Sequence, residues 1–363
     1  MTQHLLAGEQ IDTSLHGAVA HRVRHRSYDL RGRPTESTGL VISPDEPGSD
    51  RPVLTWLHGT TGMGDAACPS AQPDPAAGLR TYFEASATQQ IDYGVPGAQA
   101  WIDAGWVVCA TDYQGLGTPG MHQYSVNRTN ALDGITIVRV ARELAVGAGT
   151  AFAAAGWSQG GGAAAAIAEL DDADLEGLEL VGTVPMSPGV PIVAMHAPTG
   201  MGAALTDPSA VPDGHLVMTF VALAEAFPDT LRRSDVLTAL GEEIVDAAWN
   251  TQPVHHLSDT IARQFRFRGP VLAVESDALP AWTEAMAEAS AGRVRPRCPV
   301  HVMVDGLDGG SVIPVAWQDG YVAAVQALGA DVTVTRFPDD DHFSLPASCV
   351  GLAQQWLTAR LPG

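Results

Sequence analysis

Short apolar runs alternate with segments of helical periodicity along most of this chain. Apolar runs of about four to eight residues, bounded by Gly, Pro or polar positions, are typical of buried β-strands. Such runs cover residues 53–57, 106–111, 151–157, 180–186, 300–304 and 332–337. Two further runs, 19–28 and 40–42, flank the turn signal Gly32-Arg33-Pro34 and predict a β-hairpin.

Helical segments follow several of these predicted strands. In residues 130–146 the apolar side chains Ile135, Val138 and Leu144 recur at helical spacing, and Gly147 closes the segment. An alanine-rich helix is expected over 160–170, and a terminal helix over 352–361. Strands that alternate with helices favour an α/β fold, with a mainly parallel sheet flanked by helices.

Two stretches depart from this alternation. Residues 62–97 are rich in Pro and Gly, which indicates mostly surface loop. Residues 188–296 contain helical segments at 216–227 and 281–289 but little strand signal. We interpret 188–296 as a helical cap or lid inserted into a core formed by residues 1–187 and 297–363.

The charge balance excludes several kinds of partner. The 363 residues carry a formal net charge of −21, with 45% hydrophobic and 17% charged residues, as expected of a globular protein. Nucleic acid binding needs a basic surface, so it is not expected, and neutral substrates suit this chain better than anionic ones. No apolar run reaches the roughly 18 residues of a transmembrane helix, so no integral membrane association is expected.

The sequence also bears on localisation and on metal binding. Residues 1–25 contain no apolar signal-peptide segment, which predicts a cytoplasmic protein if Met1 is the native start. The four cysteines have no C-x-x-C spacing, so no zinc site is predicted. His21 and His25 lie in a predicted strand, and Asp339 to Asp341 lack spaced partners, so neither group predicts a metal site.

Gly156-Trp157-Ser158-Gln159-Gly160 has the pattern G-x-S-x-G of a nucleophile elbow. In that motif the serine stands on a sharp turn between a strand and a helix, and the two glycines allow the strand and helix to approach closely. The motif occurs in the α/β-hydrolase fold, and Ser158 is therefore the candidate nucleophile.

The order Ser, acid, His identifies the other candidates of a catalytic triad. His342 lies in a loop after the last predicted strand, where the general base belongs. The acid should follow the strand at 300–304, and Asp308 is the first choice because it lies between Gly306 and the pair Ile313-Pro314. The spacing to Pro314 is longer than usual, so Asp305 stays the alternative.

Two backbone amides should stabilise the oxyanion. One belongs to Gln159, directly after the candidate nucleophile, and the other to Thr60 in the small-residue loop after the strand at 53–57, with Thr61 as the alternative. Trp157 and Gln159 are expected either to line the substrate pocket or to pack against the sheet.

Together, four segments resemble the secretory lipase family, which includes lipase A-like enzymes. These segments are Trp56 to Gly62, the Cys68-Pro69-Ser70 loop, Thr111 to Gly117 and Gly156 to Gly161. The resemblance implies ester hydrolysis by a Ser-Asp-His triad without a cofactor, a helical lid, and Thr60 as an oxyanion residue. It also makes secretion the alternative to a cytoplasmic location.

The sequence therefore predicts a serine carboxylic-ester hydrolase, an esterase or lipase that forms an acyl-enzyme on Ser158. Its substrate is expected to be a small neutral ester. An acyltransferase that uses the same triad with an acceptor other than water is the alternative. A non-catalytic ligand-binding protein with this fold is the third reading.

Overall fold

In the computed structural model, which describes residues 3–87, 89–198, 200–206, 211–273, 277–307 and 312–362, the strands join into one nine-stranded sheet. The strands are β1 (Leu5–Ile11), β2 (Ala18–Tyr28), β3 (Pro34–Pro44), β4 (Arg51–Leu57), β5 (Val107–Thr111), β6 (Ala148–Trp157), β7 (Glu179–Met186), β8 (Val300–Asp305) and β9 (Val332–Phe337). All but β1 overlap a predicted strand. β1 lies at the edge of the sheet with most of its side chains exposed, so it lacks the apolar pattern of the others.

The strand order is β1-β2-β3-β5-β4-β6-β7-β8-β9. The first three strands pair antiparallel, and β2 and β3 form the predicted hairpin, with Tyr28 opposite Pro34. β3 also pairs antiparallel with β5, whereas every pair from β5 to β9 is parallel. The predicted, mainly parallel sheet is therefore confirmed.

The α-helices of the described residues are α1 (Ala98–Asp103), α2 (Asn127–Glu143), α3 (Gln159–Ile167), α4 (Asp172–Leu175), α5 (Pro191–His196), α6 (Met201–Thr206), α7 (Gly214–Ala226), α8 (Ala239–Ala248), α9 (Val254–Arg268), α10 (Leu279–Ala289), α11 (Val315–Ala327) and α12 (Leu345–Thr358). Successive side chains of a strand point to opposite faces of the sheet, so a buried sheet has two apolar cores. Val41 packs in the core beneath α2, α3 and α11, while its neighbours Leu40 and Ile42 pack in the core beneath α1 and α12.

The helices α5 to α10 all lie between β7 and β8. They share a third apolar core, in which Phe220 of α7 and Trp282 of α10 pack edge to face with ring centroids 5.5 Å apart. Met63 and Tyr124, from loops at the end of the sheet, belong to the same core and join these helices to the rest of the molecule. No helix in the described part of the chain is long and apolar enough to cross a bilayer.

Two local predictions were inaccurate. The terminal helix begins at Leu345 rather than at residue 352, because Pro346 lies in its first turn, where the missing N–H has no helical acceptor. Residues 62–97 are irregular as predicted, but Cys68, Ser70 and Tyr93 are buried, so much of this stretch is not surface loop. A high content of proline and glycine predicts an irregular backbone conformation, but it does not predict that the residues are exposed to solvent.

The parallel strands bring four polar residues to one edge of the sheet. Ser158 follows β6, Ser187 follows β7, Asp305 ends β8, and His342 lies in the loop after β9. The carboxyl ends of parallel strands meet at the same edge, where ligands bind in open α/β sheets, so this edge is the expected position of a site.

Candidate active site

Ser158 occupies the turn between β6 and α3 in a strained backbone conformation. Its φ of 59° and ψ of −118° cost a residue other than glycine of order 1–3 kcal/mol. A Cβ atom on Gly156 would collide with the carbonyl oxygen of Gly160, and one on Gly160 would collide with that of Leu57. The two glycines of the G-x-S-x-G pattern are therefore required by the close approach of α3 to the sheet.

His342 is held beside this turn by Trp157. The Trp157 indole Nε1 donates a hydrogen bond of 2.8 Å to the main-chain oxygen of His342, and the two rings lie 5.2 Å apart. His342 is 2% exposed. The residue that precedes the candidate nucleophile thus fixes the loop that carries the candidate base.

Among the described residues, Asp305 forms an ion-pair contact with His342. Its Oδ2 atom lies 3.9 Å from Nδ1 of His342, and the residue is fully buried. The side chain of Gln318 donates to Oδ1 of Asp305 and also contacts the Ile313 carbonyl oxygen, so the carboxylate is held in place. Asp308, the first choice from the sequence, lies outside the described residues.

Ser187 contacts His342 more closely than Asp305 does. Its Oγ lies 2.9 Å from Nδ1 of His342, and the residue is fully buried. Ser187 has a φ of 44°, in the left-handed region, and its amide donates to the Met303 oxygen of β8. Sequence reasoning missed this residue, because a serine after an apolar strand has no motif; its place at the edge of the sheet was the one available signal.

The surroundings keep the His342 imidazole neutral. Burial, and next the charge of His215 in α7, lower the pKa of His342 to about 3, although Asp341 acts in the opposite direction. A neutral imidazole can accept a proton, as a general base must. Because Nδ1 contacts Ser187, Nε2 is the ring nitrogen at which the neutral imidazole can accept a proton.

Thr60 lies in a buried polar loop. Its hydroxyl donates a 3.1 Å hydrogen bond to the Tyr124 hydroxyl, and burial raises the pKa of Tyr124 to about 12. The preceding His58 carbonyl oxygen accepts a 3.1 Å hydrogen bond from the Tyr113 hydroxyl. These contacts hold the loop at His58 and at Thr60.

Hydrogen bonds to Asp112 hold the loop that contains Cys68 and Ser70 against the sheet. Its carboxylate accepts hydrogen bonds from the Ser70 amide at 2.8 Å, the Ser70 hydroxyl at 2.5 Å and the Thr38 hydroxyl at 2.7 Å. The Cys68 thiol lies 3.4 Å from the same carboxylate. Two of the segments that carry the family resemblance, the Cys68-Pro69-Ser70 loop and Thr111 to Gly117, are thus joined at this carboxylate.

Gln159 begins α3 and lines a cavity of about 100 Å³ at the edge of the sheet. Other polar residues at this cavity are Tyr124, Ser125, Asp213, His215 and Thr219. The cavity is therefore lined by the residue that follows the candidate nucleophile and by residues of α5, α6 and α7, which lie between β7 and β8. Among the described residues no group of three or more His, Cys, Asp or Glu side chains could hold a metal ion.

Comparison with known proteins identifies the family and the fold of this chain. A family model described as secretory lipase matches residues 81–363. The rice cell wall degrading esterase LipA from Xanthomonas oryzae superimposes with a TM-score of 0.69 at 16% identity, over 99% of each chain. Candida antarctica lipase A in its closed state gives 0.70 at 14% identity, over 99% of this chain and 83% of that one. No curated protein matches by sequence. The predicted α/β-hydrolase fold is confirmed by these structures.

Proposed function

Because this chain belongs to the secretory lipase family, we propose that it is a serine carboxylic-ester hydrolase with Ser158 as its nucleophile. The observation that carries the proposal is the strained backbone of Ser158 at the strand-to-helix turn, with the neutral His342 in the adjacent loop. Such strain persists where the surrounding structure enforces it, typically at functional sites. The net charge of −21 favours a neutral ester as the substrate.

The proposed reaction proceeds in two acyl-transfer steps. Ser158 Oγ attacks the ester carbonyl carbon while Nε2 of His342 accepts the hydroxyl proton. The C–O bond of the ester then breaks, and the proton passes from Nε2 to the leaving alcohol. Water attacks the acyl-enzyme with His342 again as the base, which releases the carboxylic acid and restores the Ser158 hydroxyl.

We assign the acid of the proposed triad to Asp305. The 3.9 Å separation of its carboxylate from Nδ1 of His342 suits electrostatic support of the imidazolium that forms during the reaction. The Ser187 hydroxyl accepts the hydrogen bond from Nδ1–H in this scheme and sets the orientation of the ring. Ser187 is thus a positioning residue, and Asp305 stabilises charge at slightly longer range.

The proposed oxyanion hole consists of the main-chain amides of Thr60 and Gln159. Gln159 is the first residue of α3, so its amide belongs to the unpaired N–H groups at the positive end of the helix. The hydrogen bond between Thr60 and Tyr124 holds the second donor in place. We also propose that residues 188–296, which include α5 to α10, act as the lid over this edge of the sheet.

Covalent labelling tests the assignment of the nucleophile. A fluorophosphonate probe should label the wild-type protein, and mass spectrometry of peptides should place the label on Ser158. The Ser158→Ala variant should remain folded by circular dichroism and take up no label. A label on Ser187, the nearby buried serine, would instead refute the proposed mechanism.

A further inference from the structure

The segment between β5 and α2 contacts both parts of the proposed oxyanion hole through His122 and Tyr124. The first part is the loop of residues 58–63, which contains Thr60, and the second is the turn at which Gln159 begins α3. His122 is fully buried, and Tyr124 is buried as well. The Tyr124 hydroxyl accepts the 3.1 Å hydrogen bond from the Thr60 hydroxyl. His122 makes the remaining contacts.

The His122 ring holds the side chain of Gln159. Nδ1 of His122 lies 2.9 Å from the Gln114 carbonyl oxygen, so Nδ1 carries the proton and donates it to that oxygen. Nε2 is then an acceptor, and it receives a 2.7 Å hydrogen bond from the side-chain nitrogen of Gln159. Burial lowers the pKa of His122 to about 3, which keeps this ring neutral and its Nε2 an acceptor.

The same residue also supports the loop of residues 58–63. The main-chain amide of His122 donates a 2.9 Å hydrogen bond to the carbonyl oxygen of Met63. Its ring stacks on Tyr113, with ring centroids 5.5 Å apart and an interplanar angle of 10°. The Tyr113 hydroxyl in turn donates to the His58 carbonyl oxygen at 3.1 Å. His122 therefore supports this loop directly at Met63 and through Tyr113 at His58.

The segment around His122 is itself held firmly. A Cβ atom on Gly115 would lie 2.4 Å from the main-chain nitrogen of His122, so the chain packs closely there. Gln123 is held by α2: its side-chain oxygen accepts a 2.8 Å hydrogen bond from the Thr129 hydroxyl, and its carbonyl oxygen accepts one of 3.2 Å from the Asn130 side chain. A support of this kind resists displacement of the groups that it binds.

We propose that His122 is a positioning residue of the oxyanion hole and that, with Tyr124, it aligns the main-chain amides of Gln159 and Thr60 with each other. The inference rests on the proposed ester hydrolysis. Oxyanion donors stabilise the transition state because they are already in place when the charge develops. The bond from His122 restrains the first turn of α3 at Gln159, and Tyr124 restrains the other donor at Thr60.

A comparison of two esters measures the alignment of these donors. The substrates are p-nitrophenyl butyrate and its thiono analogue, in which sulfur replaces the carbonyl oxygen. Sulfur accepts hydrogen bonds poorly and lies farther from the carbonyl carbon, so the thiono ester gains little from well-placed amides. The ratio of kcat/KM, ester over thiono ester, therefore falls when the oxyanion hole is disturbed. A loss of folded protein cancels in this ratio.

Two substitutions of His122 form a matched pair. Asparagine places its side-chain nitrogen near the position of Nδ1, so His122→Asn keeps the donor to the Gln114 oxygen but removes the acceptor for Gln159. Glutamine places its side-chain oxygen near the position of Nε2, so His122→Gln keeps that acceptor and loses the donor. Both variants lose the stacked ring and one hydrogen bond, so urea unfolding should give them similar stabilities.

Only His122→Asn should disturb the oxyanion hole. Its ratio of ester over thiono ester and its kcat for the ester should each fall about tenfold, with KM little changed, a part of the roughly 10²–10³ that one oxyanion donor contributes. His122→Gln should keep the ratio within about twofold of the wild type.

Tyr124→Phe tests the other donor with a milder change, and it decides the question if His122 tolerates no substitution. Loss of the hydroxyl that binds Thr60 should lower the ratio about threefold to tenfold, the effect of one hydrogen bond. Tyr321→Phe is the matched control, because it removes another buried tyrosine hydroxyl, in α11, that makes no hydrogen bond within the described residues. It should keep the wild-type ratio.

The outcomes separate this inference from the proposed function. Hydrolysis of the ester with an unchanged ratio in His122→Asn, or with an equal fall in His122→Asn and His122→Gln, overturns the positioning role of His122 alone. An unchanged ratio in Tyr124→Phe overturns the alignment of Thr60. No turnover of the ester by the wild type, together with no labelling of Ser158, overturns the proposed function as well.

Discussion

The hydroxyl of Ser187 lies between the strand ends that carry Ser158 and Asp305. It contacts Nδ1 of His342 at 2.9 Å, while the Asp305 carboxylate stands 3.9 Å from the same nitrogen. At this distance the hydroxyl makes the hydrogen bond, and the carboxylate contributes through its charge. The proposed site is thus built from four residues on four successive strand ends.

Removal of the Ser187 hydroxyl should slow catalysis without a matching loss of stability. Ser187→Ala and Ser187→Gly both delete the hydroxyl, and each should lower kcat about tenfold with little change in KM, the effect of one lost orienting hydrogen bond. Glycine also relieves the strain of the φ of 44°, so Ser187→Gly should be about 1 kcal/mol more stable than Ser187→Ala. Steady-state kinetics and urea unfolding measure the two effects. If Ser187→Gly had a higher kcat than Ser187→Ala, in step with its higher free energy of unfolding, the role of Ser187 would be structural only.

The pH dependence of catalysis should reflect the burial of His342. The base acts in its neutral form, and burial lowers its pKa to about 3 from an ordinary value of 6.5. As pH falls, kcat/KM for a neutral ester should therefore hold through 6.5 and decline only at distinctly lower pH, wherever the protein stays folded. An acid limb centred at 6.5 or above would contradict this description of His342.

Part of this site could be predicted from single residues and part could not. The candidate nucleophile, Ser158, was identified from a local motif, and the candidate base, His342, from its order along the chain. Ser187 and the choice of Asp305 depend on distances across strands that are far apart in the chain. No local pattern reports such distances.

At the scale of elements, the apolar runs identified the parallel strands, because a strand buried on both faces must be apolar throughout. β6 contains five alanines, which are poor strand formers, but it pairs with β4 and β7 at the centre of the sheet. The exposed edge strand β1 could not be found in the same way. Both β6 and β1 are strands because they pair with neighbouring strands in the folded chain, and not because of the intrinsic propensity of their residues.

The elbow is the element whose geometry tolerates the least change. A Cβ atom on Gly160 would collide with the main chain of Leu57 and His58, so Gly160→Ala should lower the free energy of unfolding by about 3 kcal/mol or more. Gly351 lies in the exposed face of α12 with open space around its Cβ position, so Gly351→Ala should raise stability by about 0.5–1 kcal/mol. Urea unfolding of both variants measures the contrast. A Gly160→Ala protein as stable as the wild type would show that α3 does not need this close approach.

At the scale of the whole molecule, distant segments meet above the candidate site. Tyr82 stacks on His255 of α9 with ring centroids 3.7 Å apart, and Phe83 packs edge to face on Phe343, at 4.9 Å. Phe343 directly follows His342. These ring contacts therefore connect the loop that contains Tyr82 and Phe83 both to the proposed lid and to the loop that contains His342. The sequence predicted helices at 188–296, but these contacts bridge more than 170 residues and follow only from the folded chain. If residues 188–296 act as the proposed lid, the cavity of about 100 Å³ lined by Gln159 predicts a preference for short or medium acyl chains.

Hydrolysis of a p-nitrophenyl ester series from acetate to palmitate, by the wild type and by Ser158→Ala, tests the central claim most directly. We predict that the wild type releases p-nitrophenol from the short and medium esters, and that Ser158→Ala loses at least about a thousandfold in kcat/KM while remaining folded. Release of product by Ser158→Ala at the wild-type rate would contradict the assignment of Ser158 as the nucleophile.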